Sequence, residues 1–140
     1  MLLGKIGGDK IERIKNKIMK LYCKKCNYLL TSLKLEKSEL KQICLIDEKE
    51  LLQDRKYIEA NRIDYSFEIP IDYLINSKSI SLKDHKDSIR LQGCCGPGNF
   101  GVLNQVCPKC KFEIGVLIAD CWTPRFIGID KSKISEKPLW

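Results

Sequence analysis

Several features that would assign a function directly are missing from this chain of 140 residues. It has one histidine, and it contains no HExxH zinc-protease motif, no phosphate-cradling GxxxxGK(S/T) loop and no GxSxG nucleophile elbow. No apolar run approaches the ~18 residues of a membrane-spanning helix, and the opening MLLGKIGGDK lacks the apolar core of a signal peptide. We therefore expect a single-domain cytoplasmic protein with no membrane partner, and the sequence gives little support for an enzyme.

The charge of the chain is basic but gives only weak evidence of a partner. The formal net charge is +7 and the pI about 9.0, which would suit an anionic partner. The lysines are interleaved with acidic residues, as in EKSELK and KDHKDS, so a solvated mixed surface is favoured over a binding stripe. Zinc bound by four thiolates has a net charge of about −2, so one such site would lower the effective charge to about +5 and two to about +3.

Cysteine, by contrast, is abundant, with eight residues. Two segments share one pattern, YCKKCNYLL at 22–30 and VCPKCKFEI at 106–114, and this pattern is typical of a zinc knuckle. Tetrahedral zinc takes four thiolates, which predicts a Zn²⁺ site. Its predicted ligands are Cys23, Cys26, Cys107 and Cys110. Ribbon knuckles are usually about 15–20 residues apart, so residues 27–106 would have to be a sheet inserted between them, and two unrelated pairs of reduced thiols are the alternative.

The stretch GCCGPGNFG at 93–101 contains two adjacent cysteines, Cys94 and Cys95. A disulfide between neighbours is strained, because their Cα atoms lie about 3.8 Å apart whereas ordinary bridges span about 4.4–6.8 Å. A thioredoxin-like pair would need its second thiol where Gly98 stands. Two interpretations remain: one or both bind zinc, replacing a knuckle member or joining Cys121 in a second site, or they are small buried residues at a glycine-rich corner. Adjacent strand residues point to opposite faces, so we expect only one to face a given metal.

The predicted fold class is α+β, a small and mostly antiparallel sheet with zinc-ribbon-like knuckles and a short N-terminal helix. Apolar residues at three- and four-residue steps predict an amphipathic helix over 9–21. Alternatively, Met19 begins an opening strand, MKLYCKKC. Strands are expected at 63–75, on both sides of the second knuckle, and at 125–129. The predicted domain organisation is a helical appendage at 1–18, one zinc-stabilised domain at 19–130 and a loose tail at 131–140.

Four further residues have chemistry that the motifs do not use. Asp120 is expected to accept backbone N–H groups at a turn. Trp122 is expected to be a core anchor or a lid over the cysteines, with an exposed Trp beside Arg125 that stacks on a base or a ligand as the alternative. Cys44, in QICLID, is expected in the core, and His85 is expected to be solvated in a charged loop, with a metal-ligand or general-base role as alternatives.

The run from 90 to 126 also resembles a family of small, mostly uncharacterised bacterial cysteine-rich proteins. Its pattern is an N-terminal CxxC, a GCCG turn, an Asn, a further cysteine segment and a DCW. The matching positions are Gly93, Cys94, Cys95, Gly96, Asn104, Cys107, Asp120, Cys121 and Trp122, with Cys23 and Cys26 upstream. The resemblance implies a metal-containing, zinc-ribbon-like module and no particular reaction.

Together these patterns predict a structural-zinc binding or adaptor protein that acts through another protein. One alternative is a zinc-ribbon nucleic-acid-binding protein, favoured by the lysines that flank the knuckles, Lys24, Lys25, Lys109 and Lys111. A second alternative is a thiol-based redox sensor or enzyme that uses Cys94, Cys95 or Cys121.

Overall fold

Nine strands joined in one mixed sheet form the fold of residues 18–138, the part of the chain that the computed structural model describes, with side chains described from 19 to 136. The sheet order is β5-β6-β7-β8-β4-β3-β2-β1-β9, and every neighbouring pair is antiparallel except β2 with β3. The strands are β1 Ile18–Cys23, β2 Leu35–Lys37, β3 Lys56–Glu59, β4 Tyr73–Ile75, β5 Lys83–Asp84, β6 Gln105–Val106, β7 Glu113–Ile118, β8 Phe126–Ile129 and β9 Ile134–Pro138.

The predicted α+β class is wrong, because helix in residues 18–138 is limited to four short 3₁₀ turns, at Leu40–Gln42, Ala60–Arg62, Ser88–Leu91 and Lys131–Lys133. The predicted helix over 9–21 lies outside the described residues up to 17, and from Ile18 the chain is strand β1. Met19, Leu21 and Cys23 are buried and alternate with half-exposed neighbours, the two-residue period of a strand. The alternative expectation of an opening strand is therefore confirmed. Across the described part of the chain, no helix has the length and apolar character needed to cross a membrane.

The predicted loose tail at 131–140 also needs correction over part of its length. Strand β9 pairs with β1 through five residue pairs, from Met19 opposite Pro138 to Cys23 opposite Ile134. Ile134 is buried in the core, and Asp130 caps the turn before it by accepting from the backbone N–H of Ser132. The tail was predicted loose because it is polar, but its backbone completes the hydrogen bonding of β1.

Residues 63–72 show that an alternating pattern can predict burial without predicting a strand. Ile63, Tyr65 and Phe67 are half-buried and their neighbours exposed, as expected, yet only Tyr73–Ile75 of the predicted strand at 63–75 pairs in the sheet. The preceding segment packs its apolar side chains onto the sheet as a covering loop.

Two apolar cores lie on the two faces of the sheet. The knuckle-side core includes Leu21, Ile114, Ile127 and Ile129 together with Cys23 and Cys107. The opposite core contains Leu51, Leu52, Ile58, Ala60, Leu74, Val116, Ile118 and Phe126, covered by the 63–71 loop and Phe100. Strands β1 and β6 stand near opposite ends of the sheet order, so the sheet must curl for Cys23 and Cys107 to share one core.

A β-bulge in β7 helps to supply this curl. Val106 pairs with Glu113 and Gln105 with Gly115, which leaves Ile114 as the extra residue. Ile114 therefore faces the knuckle-side core although Val116, two residues later, faces the opposite one.

Candidate metal centres

The two CxxC segments fold into turns with the same backbone hydrogen bonds. At the end of β1, Asn27 N–H donates to Cys23 O (2.8 Å) and Cys23 N–H to Tyr28 O (2.9 Å). After β6, Lys111 N–H donates to Cys107 O (3.0 Å) and Cys107 N–H to Phe112 O (2.9 Å). The sequence similarity of the two segments thus corresponds to one shared local structure, repeated at two distant points of the chain.

The residue after each second cysteine has left-handed backbone geometry. The φ angle is 62° at Asn27 and 66° at Lys111. Asparagine tolerates this region, whereas a lysine pays a steric cost in it. Lys111 nevertheless adopts it, so the knuckle geometry overrides the local preference of its own sequence.

The four sulfurs of the two knuckles converge into one group, here called the knuckle cluster: Cys23, Cys26, Cys107 and Cys110, with all sulfurs within 4.8 Å of one another. Cys23 Sγ lies 3.6 Å from Cys110 Sγ, and Cys26 Sγ lies 3.6 Å from Cys107 Sγ. These distances are far from the ~2.05 Å of a disulfide. They match the ~3.8 Å edge of a tetrahedron of sulfurs around a metal with bonds of about 2.3 Å. The donor set and its spacing therefore fit a tetrahedral metal ion.

The thiols of the knuckle cluster differ in pKa. Burial raises the pKa of the Cys23 thiol to about 12. Burial also opposes ionisation of Cys110, but hydrogen bonds from the Phe112 backbone N–H and from the other thiols lower its pKa to about 7. One thiolate therefore forms near neutral pH, and a bound cation would displace the remaining thiol protons.

Positive side chains lie on the two knuckles and beside Phe112. Lys25 Nζ lies 5.9 Å and Lys133 Nζ 5.3 Å from the ring centroid of Phe112. A lysine of the first CxxC turn and a lysine of the turn before β9 therefore both lie beside the aromatic ring that follows the second CxxC. The four lysines that flank the CxxC pairs in the sequence are exposed: Lys24, Lys25, Lys109 and Lys111. The role of Phe112 was not anticipated from the sequence, although an aromatic follows each CxxC.

A second group, here called the corner cluster, contains Cys94, Cys95, Asp120 and Cys121, with ligand atoms within 4.8 Å of one another. Cys94 and Cys95 lie in a bend rather than a strand, so the expectation that only one of them could face a given metal is wrong. Both are exposed, so of the two interpretations left open for them, burial at a glycine-rich corner is wrong. The structure thus separates the secondary candidates from the knuckles and brings all three together with an aspartate.

Asp120 acts as a clamp on the backbone of this cluster. Its Oδ2 accepts from Cys94 N–H (2.9 Å) and from the indole N–H of Trp122 (2.9 Å), and its Oδ1 accepts from the N–H groups of Cys95 and Cys121 (both 2.8 Å). Burial would raise the pKa of Asp120, but these four donors lower it to about 2. The predicted role as an acceptor of backbone N–H groups is confirmed, and it extends to all three cysteines.

The glycines of the corner are required by close approach to this clamp. A Cβ on Gly98 would lie 2.5 Å from Asp120 Oδ2, a Cβ on Gly96 would lie 2.5 Å from Ala119 O, and a Cβ on Gly93 would overlap the carbonyl oxygen of Gly96. Ala119 N–H also donates to Pro97 O (2.8 Å), which holds the corner against the end of β7. The GCCGPG run is therefore a backbone wrapped around one carboxylate.

Three other expectations are corrected. Trp122 is 53% exposed and tilts against Phe100 at 5.8 Å, so it lies beside the corner cluster and is not a core anchor. His85 is not solvated: its Nε2–H donates to Glu113 Oε2 (2.8 Å), while its Nδ1 accepts from Asp87 N–H. The side chain of Cys44 is only half-buried, and Cys44 belongs to neither cluster.

Comparisons with known proteins identify no relative of this chain. No family model, no curated protein and no solved structure matches it. The resemblance to bacterial cysteine-rich proteins therefore stays a prediction.

Proposed function

We propose that this protein is a structural-zinc protein that works by binding a partner and not by catalysis at the knuckle cluster. The observation that carries the proposal is the convergence of four cysteine sulfurs from two matched knuckles, with 3.6 Å between the paired sulfurs. Four thiolates fill the tetrahedron of a zinc ion and leave no position for a substrate, which is typical of structural sites. The zinc would hold the two ends of the curled sheet together.

Elemental analysis of protein purified without added metal tests this proposal. We expect at least one zinc per chain that resists a chelator, and its loss in Cys107→Ser but not in Cys44→Ser. Cys44 is a matched control because it is also a free cysteine but lies outside both clusters. A folded protein without metal would contradict the proposal.

Another protein is the partner class that we propose. Leu45 and Ile46 are 64% and 63% exposed, and the segment that contains them is fixed by a hydrogen bond from Glu48 N–H to Thr123 O, next to the exposed Trp122. Exposed apolar side chains on adjoining segments are typical of a protein contact surface. Replacing Leu45 and Ile46 with serine should abolish a specific complex while the zinc content stays the same, and a complex that survives the replacement would contradict this surface.

A nucleic acid is the second candidate partner, favoured by the lysines gathered around Phe112. Basic side chains beside an aromatic ring suit phosphate contacts and base stacking. The same lysines would also offset the charge of a tetrathiolate site, so the test must measure binding directly. Titration of a single-stranded oligonucleotide at two salt concentrations should show affinity that falls with salt and with Lys25→Gln. No binding at low salt would remove this candidate.

A further inference from the structure

We propose that Cys94, Cys95 and Cys121 form a second metal site, in which three thiolates hold an exchangeable zinc ion and the fourth coordination position opens to solvent. The site is independent of the knuckle cluster, since none of its residues contributes there. It would give the protein one buried zinc and one accessible zinc with different chemistry.

The number of protein ligands follows from the bonds of Asp120. A carboxylate has about four lone-pair positions, and those of Asp120 already accept three backbone N–H groups and the Trp122 indole N–H. The carboxylate therefore lies behind the sulfurs as an orienting group and is not the fourth ligand. His85, the only histidine, has both ring nitrogens engaged by Glu113 and Asp87. Within the described residues the metal-ligand set of this corner is three thiols.

The backbone of all three cysteines is held by contacts that involve no metal, and their sulfurs lie within 4.8 Å of one another. One carboxylate fixes the backbone of all three cysteines, and three glycines allow the chain to close around it. Groups that orient metal ligands in this way commonly govern affinity. Cys94 and Cys95 are exposed, so water and small ligands can reach a metal held there. Zinc with three protein ligands and one open position is the arrangement found where zinc meets an outside ligand.

A cobalt titration of the whole protein tests the site. Protein is treated with a chelator under reducing conditions, so that only tightly held zinc remains, and is then titrated with Co²⁺ without oxygen. We expect one equivalent of Co²⁺ to bind, with thiolate charge-transfer absorption for three Co–S bonds. Added imidazole should shift the ligand-field bands, because it can occupy the open position.

Variants distinguish this site from the knuckle cluster. Cys121→Ser should weaken cobalt binding by about tenfold or more and remove one third of the charge-transfer intensity, while the chelator-resistant zinc is retained. Cys44→Ser, the control, should bind cobalt like the unchanged protein. The proposal is overturned if the protein takes up no cobalt, or if the uptake does not depend on Cys121. It is also overturned if imidazole leaves the ligand-field bands unchanged, or if Cys121 forms a disulfide in protein purified with zinc. Failure of the knuckle site would appear differently, as missing chelator-resistant zinc with cobalt uptake that still requires Cys121.

Discussion

The two cysteine clusters use the same side chain but are organised in different ways. The knuckle cluster is assembled from two turns that are far apart in sequence, and its sulfurs adjoin the apolar core, with Cys23 and Cys107 fully buried. The corner cluster is assembled at the end of β7 around a single carboxylate, and two of its three thiols are exposed. The first depends on the whole sheet, whereas the second depends on one local hydrogen-bond centre.

Because of this difference, we expect a metal in the knuckle cluster to stabilise the fold and a metal in the corner cluster to be accessible to solvent. A ligand that joins distant strands contributes its binding free energy to folding, since the unfolded chain holds no such site. A ligand held by a preformed surface corner contributes less to folding and exchanges more readily. Changes in each cluster should therefore have effects that can be told apart.

The largest effect is expected from Cys107→Ser. Cys107 is fully buried, and structural zinc contributes on the order of 10 kcal/mol to folding. We expect loss of the tightly held zinc and loss of cooperative thermal unfolding, measured by calorimetry and elemental analysis. Cys44→Ser is the control, and a Cys107→Ser protein that unfolds cooperatively near the wild-type temperature would contradict the interpretation.

Asp120→Asn should have a smaller effect that is confined to the corner cluster. The amide replaces one acceptor oxygen with an NH₂ group, which cannot accept from the N–H donors there. We expect metal affinity at the corner to fall about 10- to 100-fold, measured by cobalt titration, with the knuckle zinc retained.

Asp130→Asn is the matched control for Asp120→Asn. Asp130 is also a buried carboxylate that caps a turn, by accepting from the backbone N–H and the hydroxyl O–H of Ser132, but it has no hydrogen bond to a corner cysteine. It should leave the affinity of the corner cluster unchanged. Equal loss of affinity in both variants would mean that Asp120 acts only through general stability.

Gly98→Ala tests the close approach at the corner. The new Cβ would stand 2.5 Å from Asp120 Oδ2, so the corner must shift, at a cost of about 1–3 kcal/mol in the free energy of unfolding. Gly101→Ala is the comparison, because its Cβ would meet only the ends of the Asn99 and Glu68 side chains at 3.2 Å, which can move. Denaturant unfolding of the two variants should rank Gly98→Ala as the less stable. The reverse ranking would contradict the close approach of Gly98 to the Asp120 carboxylate.

The smallest effect is expected from Lys111→Gly. Lys111 has φ 66°, and relief of this left-handed strain should raise the free energy of unfolding by about 1 kcal/mol. Asn27→Gly should gain less, because asparagine tolerates this geometry. Lys109→Gly, in the same turn but without positive φ, should give no gain in denaturant unfolding. A gain at Lys109 equal to that at Lys111 would show that the strain is not specific to the knuckle position.

The local structure of the knuckles was predictable from neighbouring residues, whereas their meeting was predicted only from the four thiolates that a tetrahedral zinc takes. The matched CxxC segments indicated the turns, because these depend on neighbours in sequence. The convergence of Cys23 with Cys107 depends on how a nine-stranded sheet curls, and no local pattern encodes that curl. The helix predicted over 9–21 failed from Ile18 onward for a related reason: β9 supplies the pairing that makes this segment a strand.

At the corner cluster, the sequence predicted the role of Asp120 but not the directions of the two adjacent cysteine side chains. Asp120 was correctly expected to accept backbone N–H groups, but alternation of strand side chains wrongly separated Cys94 from Cys95. Alternation holds only where the backbone is extended, and the bend at 93–96 turns both sulfurs toward Cys121. The glycines were a signal of this bend, since each is required by contact with residues 96, 119 or 120.

The long separation within the knuckle cluster also sets the order of events as the chain is made. Cys23 and Cys110 are 87 residues apart in sequence, so the tetrathiolate site cannot close until most of the protein has left the ribosome. The first knuckle must wait with two free thiols, while the corner residues and β7 are still to be synthesised. Capture of a metal by the knuckle cluster would then be a late step in biosynthesis, and in a ribosome-bound chain that ends before residue 107 the first cysteine pair should be accessible to other thiols and metals.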